Sequence, residues 1–156
     1  MSLSPLESEL TQALRVHAPP LLRWAGALAK QLRKFNIKLE GKSSGSSNTD
    51  ALTLADLTVQ ELLVCGLRDA DPIFHRCRLE AEEANGDVGA FDESSDYTIA
   101  LDPIDGTKYF SERTGNGWAV MLHLRTKFDV IYSLVYAPEM GEQGTWTEAF
   151  GQTVKT

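Results

Sequence analysis

The chain has 156 residues, 42% of them apolar, and a net charge of −7. Those values describe one ordinary globular domain with enough apolar content for a core, and they exclude wholesale disorder. They also argue against a nucleic-acid polymer as partner, because a duplex must be met by clustered Lys and Arg, and the 15 basic residues here are scattered among 22 acidic ones.

From Ser4 to Phe35 apolar residues recur at helical spacing, with Leu6, Leu10, Ala13 and Leu14 in one stripe and Leu21, Leu22, Ala25, Leu28, Ala29 and Leu32 in another. Pro19-Pro20 falls between the stripes. A double proline inside a helix removes backbone donors and crowds the preceding turn, but suits the first turn of a new helix; two helices, or one sharply kinked, are predicted. Gly41 to Asn48, GKSSGSSN, has the composition of a polar loop. Thr53-Leu54-Ala55-Asp56 then reads as a capping box opening a helix with apolar positions Leu54, Leu57, Leu62, Leu63 and Leu67. It should end near Asp69, ahead of the stop at Asp71-Pro72.

A short strand is predicted over Ile73 to Leu79, leading into Glu80-Ala81-Glu82-Glu83 and a Gly-, Asp- and Ser-rich loop from Asn85 to Asp96. Tyr97-Thr98-Ile99-Ala100-Leu101 is a buried strand by its continuous apolar and β-branched character, and it delivers Asp102 at its end. Trp118 to Leu124, Val130 to Tyr136 and Gly144 to Phe150 are three further strand candidates. The order predicts one α+β domain over residues 1–156, with helices packed on a largely antiparallel sheet. No apolar run approaches the roughly 18 residues of a membrane span, and no basic stretch followed by an apolar core opens the chain, so a soluble cytoplasmic protein is expected. Cys65 and Cys77 form no CxxC and read as plain thiols, while the dispersed His17, His75 and His123 read as structural.

Chemistry concentrates in Asp102-Pro103-Ile104-Asp105-Gly106-Thr107. The two carboxylates lie three residues apart, on a turn that Pro103 should sharpen, with the Ile104 carbonyl between them. Hard cations such as Mg²⁺ prefer such all-oxygen ligand sets. Gly106 permits close backbone approach, and the N–H groups of Gly106 and Thr107 can be offered to an anion. Spacing alone fits an ordinary polar turn better than a metal site, since Asp, Pro and Gly are common in turns. For a chain this acidic, an anionic ligand implies cations that reverse the local sign.

As a whole, DPIDGT after an apolar strand resembles the signature of the inositol monophosphatase family of lithium-sensitive phosphatases. Asp50-Ala51-Leu52-Thr53-Leu54-Ala55-Asp56 is similar to that family's D-x-x-T-x-x-D segment, and Glu82-Glu83 to its G-E-E-S element, with Ala81 and Ala84 as departures. The resemblance runs from about Lys42 to Gly151. It implies the N-terminal domain of the sugar phosphatase fold and hydrolysis of a small phosphate monoester by a metal-activated water. Under it, Glu82, Asp102, the Ile104 carbonyl and Asp105 bind Mg²⁺, with Asp102 bridging two ions. Gly106 and Thr107 contact phosphate, and Asp56 pairs with Thr107 to position and deprotonate the water, with Glu82 also counted among the catalytic residues. Asp56 is equally the acid of the capping box, and both roles can hold at once. Glu83 is expected to support Glu82 or to face solvent, and Asp50 to be a turn or cap residue.

Lys108 after the threonine is similar to the bisphosphate nucleotidases of the family and tilts the expected substrate from an inositol phosphate toward 3′-phosphoadenosine 5′-phosphate. The family's W-D-x-A-A element, which completes a second metal site, does not occur; Trp146-Thr147-Glu148-Ala149 lies in a strand candidate. The resemblance therefore implies a complete first Mg²⁺ site, an incomplete second one, the family's C-terminal domain absent, and a possible homodimer. A truncated module that binds metal and phosphate without turnover is the alternative.

Overall fold

The computed structural model describes residues 3–35, 53–83, 86–151 and 153–156. The loop predicted at Gly41 to Asn48, together with Asp50, lies outside these residues. In chain order the elements are α1 (Pro5–Arg33), α2 (Leu54–Ala70), a 3₁₀ turn (Pro72–Arg76), β1 (Arg78–Ala81), β2 (Thr98–Asp105), α3 (Thr107–Glu112), β3 (Ala119–Arg125), β4 (Val130–Ala137), β5 (Thr145–Phe150) and β6 (Thr153–Lys155).

The strands form one sheet in sequence order, with β1 and β2 parallel and every later pair antiparallel. Helices α1 and α2 pack on one face, as the α+β reading expects. The core between them joins Leu14, Leu22 and Ala25 of α1 and Val59, Leu63 and Leu67 of α2 to Ile99, Leu122, Leu124 and Tyr132 of the sheet. Gly66 lets the two helices approach closely: a Cβ there would stand 2.3 Å from Leu21 Cδ1.

One expectation about α1 is corrected. A single helix runs from Pro5 through Pro19 and Pro20 to Arg33, opened by a capping box between Ser4 and Glu7. The physical reason lies in the flanking burial. Leu14, Ala18, Leu21, Leu22 and Ala25 are all buried against the sheet and α2, while Arg15 and Val16, whose carbonyls lose their donors to Pro19 and Pro20, are exposed. Burying those five residues offsets the two interior prolines, each of which typically costs roughly 3 kcal/mol.

Two further boundaries differ from the prediction. The strand expected over Ile73 to Leu79 splits: Asp71 accepts from the Ile73 N–H at 2.9 Å and starts the 3₁₀ turn, and only from Arg78 does the chain pair with β2. On α2 the buried stripe is Ala55, Val59, Leu63 and Leu67, with Leu54 exposed. The short β6 had no signal beyond two apolar or β-branched residues. Among the described residues no helix is long and apolar enough to cross a membrane.

Both cysteines are free. Burial raises the Cys77 thiol to about 12, whereas Cys65 is partly exposed on α2. A thiol reagent should therefore modify Cys65 in the native protein and leave Cys77 untouched until denaturant is added; equal native reactivity would contradict the packing around Cys77. Replacing the exposed Pro20 by Ala should restore a donor to the Val16 carbonyl and raise stability by roughly 1–3 kcal/mol, read from the urea midpoint.

Candidate metal and phosphate site

Strand β2 does not stop at Asp102; it continues through Asp-Pro-Ile-Asp to Asp105. The expected proline turn is thus replaced by a bulge. Asp102 pairs with Met121 and Asp105 with Ala119, so three steps along β2 match two along β3. This extra residue has a direct consequence for the carboxylates. In a regular strand, side chains an odd number of positions apart point to opposite faces, and one inserted residue returns Asp105 to the face of Asp102. Pro103, which has no N–H to contribute to a ladder, sits at the irregularity.

Asp102 is partly buried, and its Oδ1 is buried without a hydrogen-bond donor. Glu82, just beyond β1, is exposed but contacts Asp102, and Asp105 is exposed at the strand end. Burial first, then the negative charges of Glu82 and Asp105, raises the Asp102 carboxyl to about 8, against a smaller opposing effect of the Ile104 backbone. Among the described residues, however, no three His, Cys, Asp or Glu side chains converge closely enough to hold a metal by themselves. The Glu82–Asp102 pair is assembled; Asp105 remains at its rim.

The second half of the site is buried. Gly106 adopts φ +80°, the left-handed region that glycine tolerates, and a Cβ there would meet the Gly117 carbonyl oxygen at 2.6 Å. It turns the chain directly into α3, whose start has no side-chain cap. The Thr107 hydroxyl lies 2.9 Å from Asp56 Oδ1 and 2.8 Å from the Ile104 carbonyl oxygen, so its single proton has two acceptors. Asp56 is itself fully buried. Its Oδ2 accepts from the Thr53 N–H at 2.8 Å and the Thr53 hydroxyl at 2.6 Å, forming the predicted capping box. Desolvation raises the Asp56 carboxyl, while hydrogen bonds from Thr53 and Thr107 pull it back. One carboxylate thus caps α2 and meets Thr107 from 51 residues away.

Of the two roles expected for Glu83, exposure to solvent is overturned. Glu83 is buried, and both of its backbone groups bond to Gln60. Gln60 was missed by sequence reasoning; its one available signal was a polar residue four positions after Asp56, inside an apolar helical stripe. At the far end of α3, Arg33 donates to the carbonyls of Tyr109, Phe110 and Gly115 and pairs with Glu139. Phe110 is buried edge-on against Trp118, whereas Tyr109 is exposed and Lys108 partly buried. His17 lies edge-on to Phe74, His75 bonds to the Arg68 carbonyl, and burial with Arg125 nearby lowers the pKa of His123, so none of the three joins the site.

The raised Asp102 pKa has a definite sign. Between the unfolded value of 3.8 and about 8 the folded protein holds the extra proton, so stability falls as pH rises through that window. With divalent cations chelated, the wild type should lose on the order of 2–4 kcal/mol more than Asp102→Asn between pH 4 and pH 8. Parallel denaturation profiles of the two proteins would contradict the buried, charge-crowded environment of Asp102.

The model of the inositol monophosphatase family matches residues 11–155. No curated protein matches the chain. Among solved structures, the extragenic suppressor protein suhB from Bartonella henselae is similar at 19% identity and a TM-score of 0.71, over 90% of this chain and 50% of that one. Inositol monophosphatase II from Staphylococcus aureus is similar at 22% identity and a TM-score of 0.64, over 92% and 48%. CysQ from Bacteroides thetaiotaomicron, itself described as a bacterial member of the inositol monophosphatase family, gives 21% and 0.58, over 86% and 45%. At these identities the structures show the fold, and the chain spans about half the length of each. With a family model covering nearly all of its length and this fold beneath it, the chain belongs to the inositol monophosphatase family.

Proposed function

We propose that the chain carries the metal- and phosphate-binding half of a Mg²⁺-dependent phosphomonoesterase. The observation that best supports this is the buried, donorless Oδ1 of Asp102 beside Glu82, five residues before a threonine held by a buried aspartate. A carboxylate in that setting is costly unless a cation neutralises it, and the surrounding donors are all oxygen. Glu82, Asp102, the Ile104 carbonyl and Asp105 would hold the ion, Asp105 by side-chain rotation from the rim. When bound, Mg²⁺ would polarise a phosphoryl oxygen and lower the pKa of the attacking water.

The remaining steps belong to the chain's own residues. Gly106 and Thr107 offer backbone N–H groups to the phosphate at the uncapped start of α3. As the water oxygen bonds to phosphorus and the P–O bond to the alcohol breaks, the water passes its proton to the Thr107 hydroxyl, which hands its own to Asp56 Oδ1. The leaving alkoxide takes a proton from solvent. A raised Asp56 pKa suits a proton acceptor. SaIMPase-II, which shares this fold at 20% identity, has been solved with 2′AMP and with inositol monophosphate bound, which supports a small phosphorylated substrate for this chain. Lys108 favours a nucleotide such as 3′-phosphoadenosine 5′-phosphate over an inositol phosphate, and lithium is expected to inhibit. A cytoplasmic location and a homodimer remain part of this reading.

The second reading is a module that binds metal and phosphate without turnover, favoured by the incomplete convergence of the carboxylates. Titration with Mn²⁺ or Mg²⁺ should show binding that Asp102→Asn weakens at least about tenfold; no binding by the wild type would reject both readings. Lithium-sensitive phosphate release from inositol 1-phosphate or 3′-phosphoadenosine 5′-phosphate would then separate the enzyme from the inert module.

A further inference from the structure

Strand β1 ends at Ala81, the last residue paired with β2, so the ladder no longer holds the two glutamates that follow. One side chain takes over. Gln60, fully buried on α2, accepts from the Glu83 N–H through Oε1 at 2.7 Å and donates through Nε2 to the Glu83 carbonyl at 2.8 Å. A primary amide bonded in this way does for Glu83 what a neighbouring strand would do, satisfying both backbone groups and setting the direction in which the chain leaves β1. Glu82 lies between the last ladder pair and this clamp.

Placement on α2 adds a second constraint. Asp56 and Gln60 are its two buried polar residues, one turn apart on the same face. Asp56 meets Thr107, and Gln60 meets Glu83. A helix rises about 6 Å over four residues, so α2 holds the Glu82 segment and the Thr107 segment at a set spacing, although they come from distant parts of the sequence.

We propose that Gln60 is a positioning residue for the metal site: it acts through the Glu83 backbone to hold the Glu82 carboxylate against Asp102. The inference rests on the functional reading above, in which Glu82 is a ligand. It explains why the helix keeps an uncharged amide at a core position, where leucine would bury more apolar surface. Only a side chain with both a donor and an acceptor satisfies both groups of one peptide residue.

The test is Mn²⁺ affinity, measured by calorimetry on the full chain with no substrate present, for wild type, Gln60→Leu and Leu67→Ala. Leu67 is equally buried on α2, two turns beyond Gln60, and has no polar group to offer the site, so its variant reports the effect of weakened helix packing. Gln60→Leu should lose about 10- to 100-fold in Mn²⁺ affinity while folded by circular dichroism, and its Glu83 amide should lose protection from hydrogen exchange. Leu67→Ala should bind Mn²⁺ as the wild type does. Should Gln60→Leu fail to fold, the near-isosteric Gln60→Met replaces it; this variant also removes both hydrogen bonds to Glu83 and should lose Mn²⁺ affinity to the same extent. Wild-type affinity in a folded Gln60 variant, or an equal loss in Leu67→Ala, overturns the positioning role while leaving the metal site standing. A wild type that binds no Mn²⁺ overturns both.

Discussion

Buried carboxylates are tolerated only when their oxygens are satisfied, and Asp56 is the place where this constraint organises the molecule. Its Oδ2 takes two donors from Thr53 and its Oδ1 faces the Thr107 hydroxyl. The first pair fixes where α2 begins; the second fixes where the turn after β2 must lie. Removing either would leave a desolvated negative charge short of a partner. The capping box and the proposed proton acceptor are therefore one group, and the start of α2 cannot shift without moving Thr107.

Strand β2 meets a different constraint, the two-residue period of extended chain. Asp102 and Asp105 are an odd number of residues apart and would diverge in a regular ladder. The bulge against β3 absorbs one residue, and Pro103 stands where a ladder donor would otherwise be lost. Gly106 then reverses direction with a positive φ, packed so close to Gly117 that no side chain fits. A strand, a bulge and a glycine turn in direct succession place a carboxylate pair, a carbonyl and the uncapped start of α3 within six residues.

The long helix α1 supports this arrangement from behind. Its apolar face covers the sheet, and Arg33 in its last turn reaches three carbonyls around α3 as well as Glu139, which also accepts from the Trp118 indole at 2.7 Å. Charge-assisted hydrogen bonds of this kind are individually about 1.5–3 kcal/mol when shielded from solvent. Helix α3 is only six residues long and has little stability of its own. It is held at one end by Thr107 on Asp56 and at the other by Arg33.

Sequence by itself determined the elements whose signals are local. The capping box at Thr53 to Asp56, the strands from Ile99 to Phe150 and the α+β class follow from periodicity and turn chemistry, and the family from the resemblance carried by the DPIDGT segment. Tertiary structure alone decided what depends on a partner distant in sequence. Pro19 and Pro20 read locally as a break, yet burial of their apolar neighbours on the sheet carries the helix through. Pro103 read as a turn, yet pairing with β3 makes it part of a bulged strand. Glu83 read as a support for Glu82 or a charge facing water, and Gln60 drew no notice, because the hydrogen bonds between them span 23 residues and neither sequence neighbourhood records the other. A side chain's identity states what it can donate or accept; only the folded chain states to whom.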